Sequence, residues 1–143
     1  MVSNDVEKLI SMWFSMHRSL RERVQGEHPI DPLSFLRLET LGLVQREPKI
    51  TMHGIAERFA IRPSSATSLV NALVKSGDLT RRHDTRDRRI VHLRITLQGK
   101  KNFQKNRRLL CGKLSELLDV LNKKDIKALL GVFEKLTQNA YNS

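Results

Sequence analysis

A charged run, Asp84 to Arg89, joins two short β-compatible segments and limits what this chain can fold into. The segments are Asp78 to His83 and Arg89 to Thr96, and the loop between them is too charged to be buried. We therefore expect a hairpin with a basic tip. Immediately upstream, Arg62 to Gly77 is predicted to be a one-sided amphipathic helix, because its apolar residues follow the i, i+3, i+4, i+7 spacing. These apolar residues are Ala66, Leu69, Val70 and Leu73.

The opposite face of this predicted helix carries small hydroxyl and amide side chains, which are poor helix formers. Such side chains suit a helix that must approach base edges and phosphates closely in a DNA major groove. The alternative is an ordinary polar helix face, and the adjacent basic hairpin favours the DNA interpretation. The candidate DNA-binding residues of the helix are Arg62, Pro63, Ser64, Ser65, Thr67, Ser68, Asn71 and Lys75.

The hairpin concentrates arginines that would repel one another unless a polyanion met them. Asp84 and Asp87 are exceptions, and we expect one or both to hold an arginine by a charge-assisted hydrogen bond. Arg86, nearest the tip, is the first candidate for insertion into a narrow A·T-rich minor groove. The candidate DNA-binding residues of the hairpin are Arg81, Arg82, Asp84, Arg86, Asp87, Arg88 and Arg89.

Composition agrees with a nucleic-acid partner. The chain has 143 residues, 39% of them hydrophobic, and a formal net charge of +11. One cysteine excludes an intrachain disulfide and fits a reducing compartment. The sequence has no apolar run long enough for a membrane span and does not begin like a signal peptide, so a cytoplasmic location is expected.

The region before the helix and hairpin is predicted to be helical. Ser3 to about Val24 forms the first helix, with Asn4 as its cap, and Gln25 to Pro32 reads as a loop. Leu33 to about Gln45 is the second helix, with Leu36, Thr40, Leu41 and Val44 facing inward.

A helix-turn-helix is predicted next. Lys49 to Thr51 is compatible with a short strand, and Thr51 caps a brief helix, Met52 to Phe59. Ala60 to Arg62 is then the turn before the candidate recognition helix.

Two helices are predicted after the hairpin. Thr96 caps a helix from Leu97 towards Val120, whose basic start is either a solvated face or a phosphate contact. Asn122 starts a last helix that reaches about Asn139. The leucine density here exceeds what two helices can bury against each other, so together with the first helix it most simply forms a dimer interface.

One order of features stands out in the second half of the chain: a helix, Gly77, a strand with Arg82, the run Asp84 to Arg89, and then Ile95-Thr96-Leu97-Gln98-Gly99. This order resembles the winged helix-turn-helix of the MarR family of bacterial transcriptional regulators. The resemblance extends over nearly the whole chain. Two departures are Ile95 where the family has leucine and Asp78 where it usually has an apolar residue. The fold class that the resemblance implies is mainly α with a small β-hairpin wing and dimerisation helices at both ends.

The resemblance also implies the domain organisation and the function. A single domain over residues 1–143 would use 1–30 and 110–143 for dimerisation, 33–99 for DNA binding and 96–120 as a linking helix. A homodimer would bind double-stranded DNA at a pseudo-palindromic operator, as a repressor, and would be released by a small molecule. A sequence-independent DNA-binding architectural protein is the alternative.

Members of the resembled family often bind small aromatic or anionic effectors in a crevice. By resemblance, the residues that would line it are Trp13, His17, His28, Phe35 and Arg37. Core packing and loop positions are the alternative interpretation for each of them.

Other classes of site are not indicated. No enzyme motif is present, no histidine pair has metal-ligand spacing on one helix, and neither a cofactor nor a metal is predicted. His83 and His92 could approach each other across the hairpin as metal ligands, but histidines beside arginines are more often phosphate-facing or simply exposed. Cys111 is read as a small core or interface residue, with a redox sensor as the alternative.

Overall fold

The computed structural model describes residues 3–24 and 32–141. These residues form helices with one two-stranded antiparallel sheet, which confirms the predicted mainly α fold with a β-hairpin. Two compact units divide the chain, Met1–Leu110 and Cys111–Ser143. The elements are α1 (Asn4–Val24), α2 (Pro32–Arg46), α3 (Met52–Arg58), α4 (Pro63–Lys75), β1 (Leu79–His83), β2 (Val91–Ile95), α5 (Leu97–Leu118) and α6 (Lys123–Tyr141).

The hydrophobic core of the first unit lies between α2, α3, α4 and the hairpin. In α2, three of the residues predicted to face inward are buried and Leu36 is partly buried. Leu38 and Leu43 are buried as well, because α2 is covered on more than one side. The buried core residues are Leu41, Leu43, Val44, Ile50, Ile55, Ala56, Ala66, Leu69, Val70, Leu73, Leu79 and Leu93.

The helix-turn-helix forms as predicted. The Thr51 hydroxyl accepts a hydrogen bond of 3.2 Å from the Gly54 amide and so caps α3. Ala60 has a φ of +51°, a left-handed conformation that turns the chain between α3 and α4. Pro63 begins α4, where a missing N–H costs nothing, and all four predicted stripe residues of α4 are buried.

Two predicted boundaries near the N-terminus are corrected. Asn4 is the first residue of α1 and not its cap: the Ser3 hydroxyl accepts from the Asp5 amide at 3.3 Å, and the Ser3 carbonyl oxygen accepts from the Val6 amide at 2.9 Å. Pro32, predicted to end the loop, belongs to α2. The rest of that predicted loop lies outside the described residues.

The hairpin is shorter than predicted. Leu79 pairs with Ile95 and His83 with Val91. Asp78 lies in the turn after α4, and Ile90 closes the tip by donating its amide to the Asp87 carbonyl oxygen at 3.0 Å. The predicted strand at Lys49 to Thr51 is reduced to one bridge between Thr51 and His92, beside a hydrogen bond from the Leu93 amide to the Ile50 carbonyl oxygen.

A buried polar junction joins α4, β1 and the start of α5. The Asp78 carboxylate accepts from the Ser76 hydroxyl and from the Asn102 side-chain amide, each at 2.7 Å. The Asp78 carbonyl oxygen lies so close to Gly99 that a Cβ there would be 2.1 Å away. Asp78, where the resembled family usually has an apolar residue, is therefore accommodated by hydrogen bonds, and the adjoining Leu79 of β1 is buried.

The last helix has a reciprocal cap. The Asn122 side-chain oxygen accepts from the amides of Lys124 and Asp125, at 2.8 and 3.0 Å, while the Asp125 carboxylate accepts from the Asn122 amide at 3.1 Å. This capping box fixes the start of α6. Thr96 caps α5 from one side only: its hydroxyl oxygen accepts from the Gly99 amide at 2.9 Å.

Large apolar side chains are exposed on α1 and on α6. On α1 they include Leu9 (65% exposed) and Phe14 (65%), and on α6 they include Leu130 (57%) and Leu136 (61%). Cys111 is exposed, so its interpretation as a core residue is wrong and the interface interpretation stays a prediction.

Candidate nucleic-acid interface

The outer face of α4 carries the predicted polar residues in exposed positions. Arg62 and Pro63 are exposed at the start of the helix. Because the buried stripe fixes the rotation of α4, its polar face must point away from the core. The exposed residues of this face are Ser64, Ser65, Thr67, Ser68, Asn71 and Lys75.

A hydrogen bond connects α4 to the hairpin at this face. The Arg81 guanidinium donates through Nη2 to Oδ1 of Asn71. Arg81 shares a face of the hairpin with buried Leu79, since residues two apart on a strand point the same way. That face contacts α4, which explains why Arg81 and not Arg82 reaches the helix.

Asp84 shapes the hairpin tip. Its Oδ1 accepts from the backbone amides of Arg86 at 2.8 Å and Asp87 at 3.1 Å. These two amides, and then the His92 side chain, lower the pKa of Asp84 from its ordinary value of 3.8. Asp84 therefore binds backbone amides and a histidine, and of the two aspartates it is not the one that holds an arginine.

Asp87 holds Arg89, as predicted. Its Oδ1 accepts from Nε of Arg89 and its Oδ2 accepts from Nη2, both at 3.0 Å. Oδ1 also accepts from the Arg89 backbone amide at 3.0 Å. The bidentate pair, followed by the backbone bond, lowers the pKa of Asp87.

Arg86 differs from Arg89. Within residues 3–24 and 32–141 the Arg86 guanidinium has no ion-pair partner, and the side chain is exposed. Its backbone amide is fixed by Asp84, so the tip is ordered while the cation at its end is available.

His92 has a structural position that the sequence did not reveal. Its Nε2 lies 3.0 Å from Oδ2 of Asp84, and its Nδ1 lies 2.8 Å from the carbonyl oxygen of Lys49. His92 is partly buried, so the phosphate-facing or exposed alternative is wrong for it. A signal for this contact is missing from the local sequence, because the partners come from three separate segments.

His83 and His92 do not approach each other. The register pairs His83 with Val91 and His92 with Arg82, which puts the two imidazoles on opposite faces of the hairpin. His83 is exposed, with Nδ1 at 2.9 Å from the Arg88 carbonyl oxygen. In the described parts of the chain, no group of three or more His, Cys, Asp or Glu residues is arranged to hold a metal ion.

The five arginines of the hairpin that were predicted to bind DNA remain exposed beside the outer face of α4. Together they give this side of the first unit a strongly positive surface that a polyanion would neutralise. The exposed arginines are Arg81, Arg82, Arg86, Arg88 and Arg89.

The predicted crevice residues are exposed where they are described. Trp13 is 58% and Phe35 47% exposed, and His17 and Arg37 are also exposed. Core packing is therefore the wrong interpretation for these four, and His28 lies outside the described residues. A cavity of about 390 Å³ is lined by other residues, namely Lys101, Gln104, Lys105, Arg108 and Leu109.

A helix that crosses a bilayer must be both long and apolar. Within residues 3–24 and 32–141, no helix meets both requirements for crossing a membrane.

Residues 33–91 match the model of the MarR family. The chain is 26% identical over 107 residues to the HTH-type transcriptional repressor MdtR of Bacillus subtilis (strain 168), covering 73% of this chain and 67% of MdtR. It resembles the solved structure of the transcriptional regulator BldR from Sulfolobus solfataricus, with a TM-score of 0.74 and 25% identity over 96% of this chain and 99% of BldR.

A third similar structure is that of Streptococcus pneumoniae FabT in complex with DNA. Its TM-score is 0.68 at 18% identity, covering 95% of this chain and 94% of FabT, so this likeness concerns the fold alone. The helix-turn-helix, the arginine-tipped hairpin and these matches have one explanation. Residues 33–91 form a winged helix-turn-helix of the MarR type, and the relatives that the chain matches are transcriptional regulators.

Proposed function

We propose that this chain is a repressor that binds a pseudo-palindromic operator as a homodimer. The observation that carries the proposal is the position of an exposed hydroxyl-rich face on α4 beside a hairpin tip whose Arg86 guanidinium is unpaired within the described residues. The helix fits a major groove, and the arginine fits the adjacent minor groove. The similarity to MdtR, which is named a repressor, and to FabT, which was solved in complex with DNA, supports this proposal.

The homodimer part of the proposal rests on the apolar residues of α1 and α6. Monomeric proteins rarely expose a continuous set of large apolar side chains, and here each terminal helix carries one. A twofold dimer presents two copies of α4, and an operator of two half-sites about 34 Å apart would bind both.

Release by a small molecule is the remaining part of the proposal. The exposed Trp13 and Phe35 rings would supply contact area for an aromatic ligand, whereas Arg37, two residues from Phe35, points to the other side of α2. Such a ligand would act by binding more tightly to one arrangement of the dimer than to the other.

The test is a mobility-shift titration with DNA from upstream of the chain's own gene, in excess competitor DNA. We expect a retarded complex that resists competitor, and a reporter under that region that is expressed more strongly when the chain is absent. Equal binding to all duplexes would contradict operator recognition and favour a sequence-independent architectural protein.

A further inference from the structure

The Thr67 hydroxyl has its hydrogen committed inside α4. Its Oγ1 donates to the Pro63 carbonyl oxygen at 2.9 Å, one helical turn earlier. A hydroxyl has a single donor and two acceptor lone pairs. Because this side chain is exposed, Thr67 offers a ligand an acceptor.

Asn71, one turn further along the same face, has the opposite polarity. The Arg81 guanidinium donates to its Oδ1, and a guanidinium has no acceptor atom. The oxygen of the amide must therefore face Arg81, and the NH₂ group points away from it. Asn71 is exposed, so Asn71 offers donors.

These polarities restrict the bases that α4 can bind. An unconstrained asparagine pairs with adenine through both its oxygen and its nitrogen. Here an adenine amino group at Oδ1 would lie beside the Arg81 cation, which disfavours that pairing. The N7 and O6 atoms of guanine are both acceptors, and they complement a pair of side chains that presents only N–H groups.

Given the proposed operator-binding function, we infer that α4 reads DNA with a fixed hydrogen-bond polarity, in which Asn71 selects guanine and Thr67 selects a base with an exocyclic amino group. Arg81 is the positioning residue that sets the direction of the Asn71 amide. Since four residues of helix rise about 6 Å, the two bases should lie within about two base steps.

The experiment is binding-site selection from a randomised duplex pool with the full chain and its variants. We expect the wild type to enrich guanine over adenine about tenfold at one symmetric position of each half-site, the discrimination of one good base contact. Asn71→Asp has the same size but no N–H donors, and it should lose this preference. Arg81→Met frees Oδ1, and it should move the preference from guanine towards adenine.

Two further variants complete the design. Thr67→Val has the same shape without the hydroxyl, and it should relax the choice of base at the neighbouring position. Lys75→Met removes a cation from α4 without touching Asn71, so it should weaken binding and leave the preferred bases unchanged. All four side chains are exposed, and thermal melting of each variant verifies folding.

Selection by the wild type together with the same preferred bases in Asn71→Asp and Arg81→Met would overturn this inference and leave the proposed function intact. Weaker binding of these variants with unchanged preferred bases would overturn it as well. Failure of the wild type to enrich any sequence would contradict the proposed function itself, and the inference with it.

Discussion

Nε2 of His92 lies 3.0 Å from Oδ2 of Asp84, and this contact attaches the hairpin tip to the body of the first unit. The other ring nitrogen of His92 faces the Lys49 carbonyl oxygen. Through its two ring nitrogens, His92 bridges the Asp84 carboxylate and the Lys49 carbonyl oxygen. Asp84 thus binds the backbone of the hairpin tip and, through His92, is linked to strand β2 and to the segment before α3.

Acid should weaken the hairpin tip through Asp84. Its pKa is lowered in the folded chain by the Arg86 and Asp87 amides and by His92, so the carboxylate stabilises the fold above its ordinary value of 3.8. That contribution disappears as the pH falls through the lowered pKa. We expect Asp84→Asn to melt below the wild type at pH 6, and the difference between their melting temperatures to shrink at pH 3. A difference that stays constant over this range would contradict the assignment.

Arg86→Ala should weaken binding about tenfold on operators with A·T-rich flanks and clearly less on G·C-rich flanks. The reason is the enhanced negative potential of a narrow A·T-rich groove at an arginine free to enter it. Titration of both operators by fluorescence anisotropy measures the ratio, with Arg86→Lys as the charge-preserving control. Equal losses on both flanks would contradict insertion into the minor groove.

Gly99→Ala should lower the free energy of unfolding by about 3 kcal/mol, because a Cβ there meets the Asp78 carbonyl oxygen and the backbone must shift. Gly112→Ala is a matched control in the same helix, since a Cβ at Gly112 has no heavy atom of the described residues within 4 Å. The control should be stabilised by about 0.5–1 kcal/mol through helix propensity. Urea unfolding of the two variants measures both effects, and a loss of equal size in both would refute the explanation.

Leu130→Glu should raise the dissociation constant of the proposed dimer by about 100-fold or more. Leu130 is exposed in the single chain, and in a symmetric dimer each of the two copies would bury the new charge. Gln138→Glu adds the same charge on the polar side of α6, opposite Leu129 and Leu136 of its apolar face, and should leave the dimer intact. Sedimentation equilibrium gives both constants. A Leu130→Glu chain that dimerises as tightly as the control would remove α6 from the interface.

The parts of the site that depend on local pattern were predictable from the sequence. The stripe of α4 follows a helical period between Pro63 and Gly77, and the φ of +80° at Gly77 is the left-handed conformation that glycine adopts readily. The basic tip was predictable because charge cannot be buried cheaply. The Asp87 contact with Arg89 joins residues two apart and needs no tertiary information.

Contacts between distant segments were not predictable. Asp78 meets Asn102 across 24 positions, and His92 meets Lys49 across 43, so no local period marks either pair. Leu38 and Leu43 were missed because a helix covered on several sides loses the one-sided pattern on which the prediction depended. The sequence left open whether Asp84, Asp87 or both hold an arginine, because the backbone amides that bind the Asp84 oxygen are set by the conformation of the loop.

Ile50 and Thr51 bind β2 from the side opposite β1, through the Leu93 amide and the Thr51–His92 bridge. The segment that leads into α3 is thereby attached to the edge of β2 that β1 leaves open, and α3 in turn packs on α4. Hinge motion of the hairpin against α4 would have to break these bonds. If a ligand releases the proposed operator, we expect it to move the helix-turn-helix and the hairpin together as one rigid block, so that it changes the spacing between the two half-site contacts and not the shape of either one.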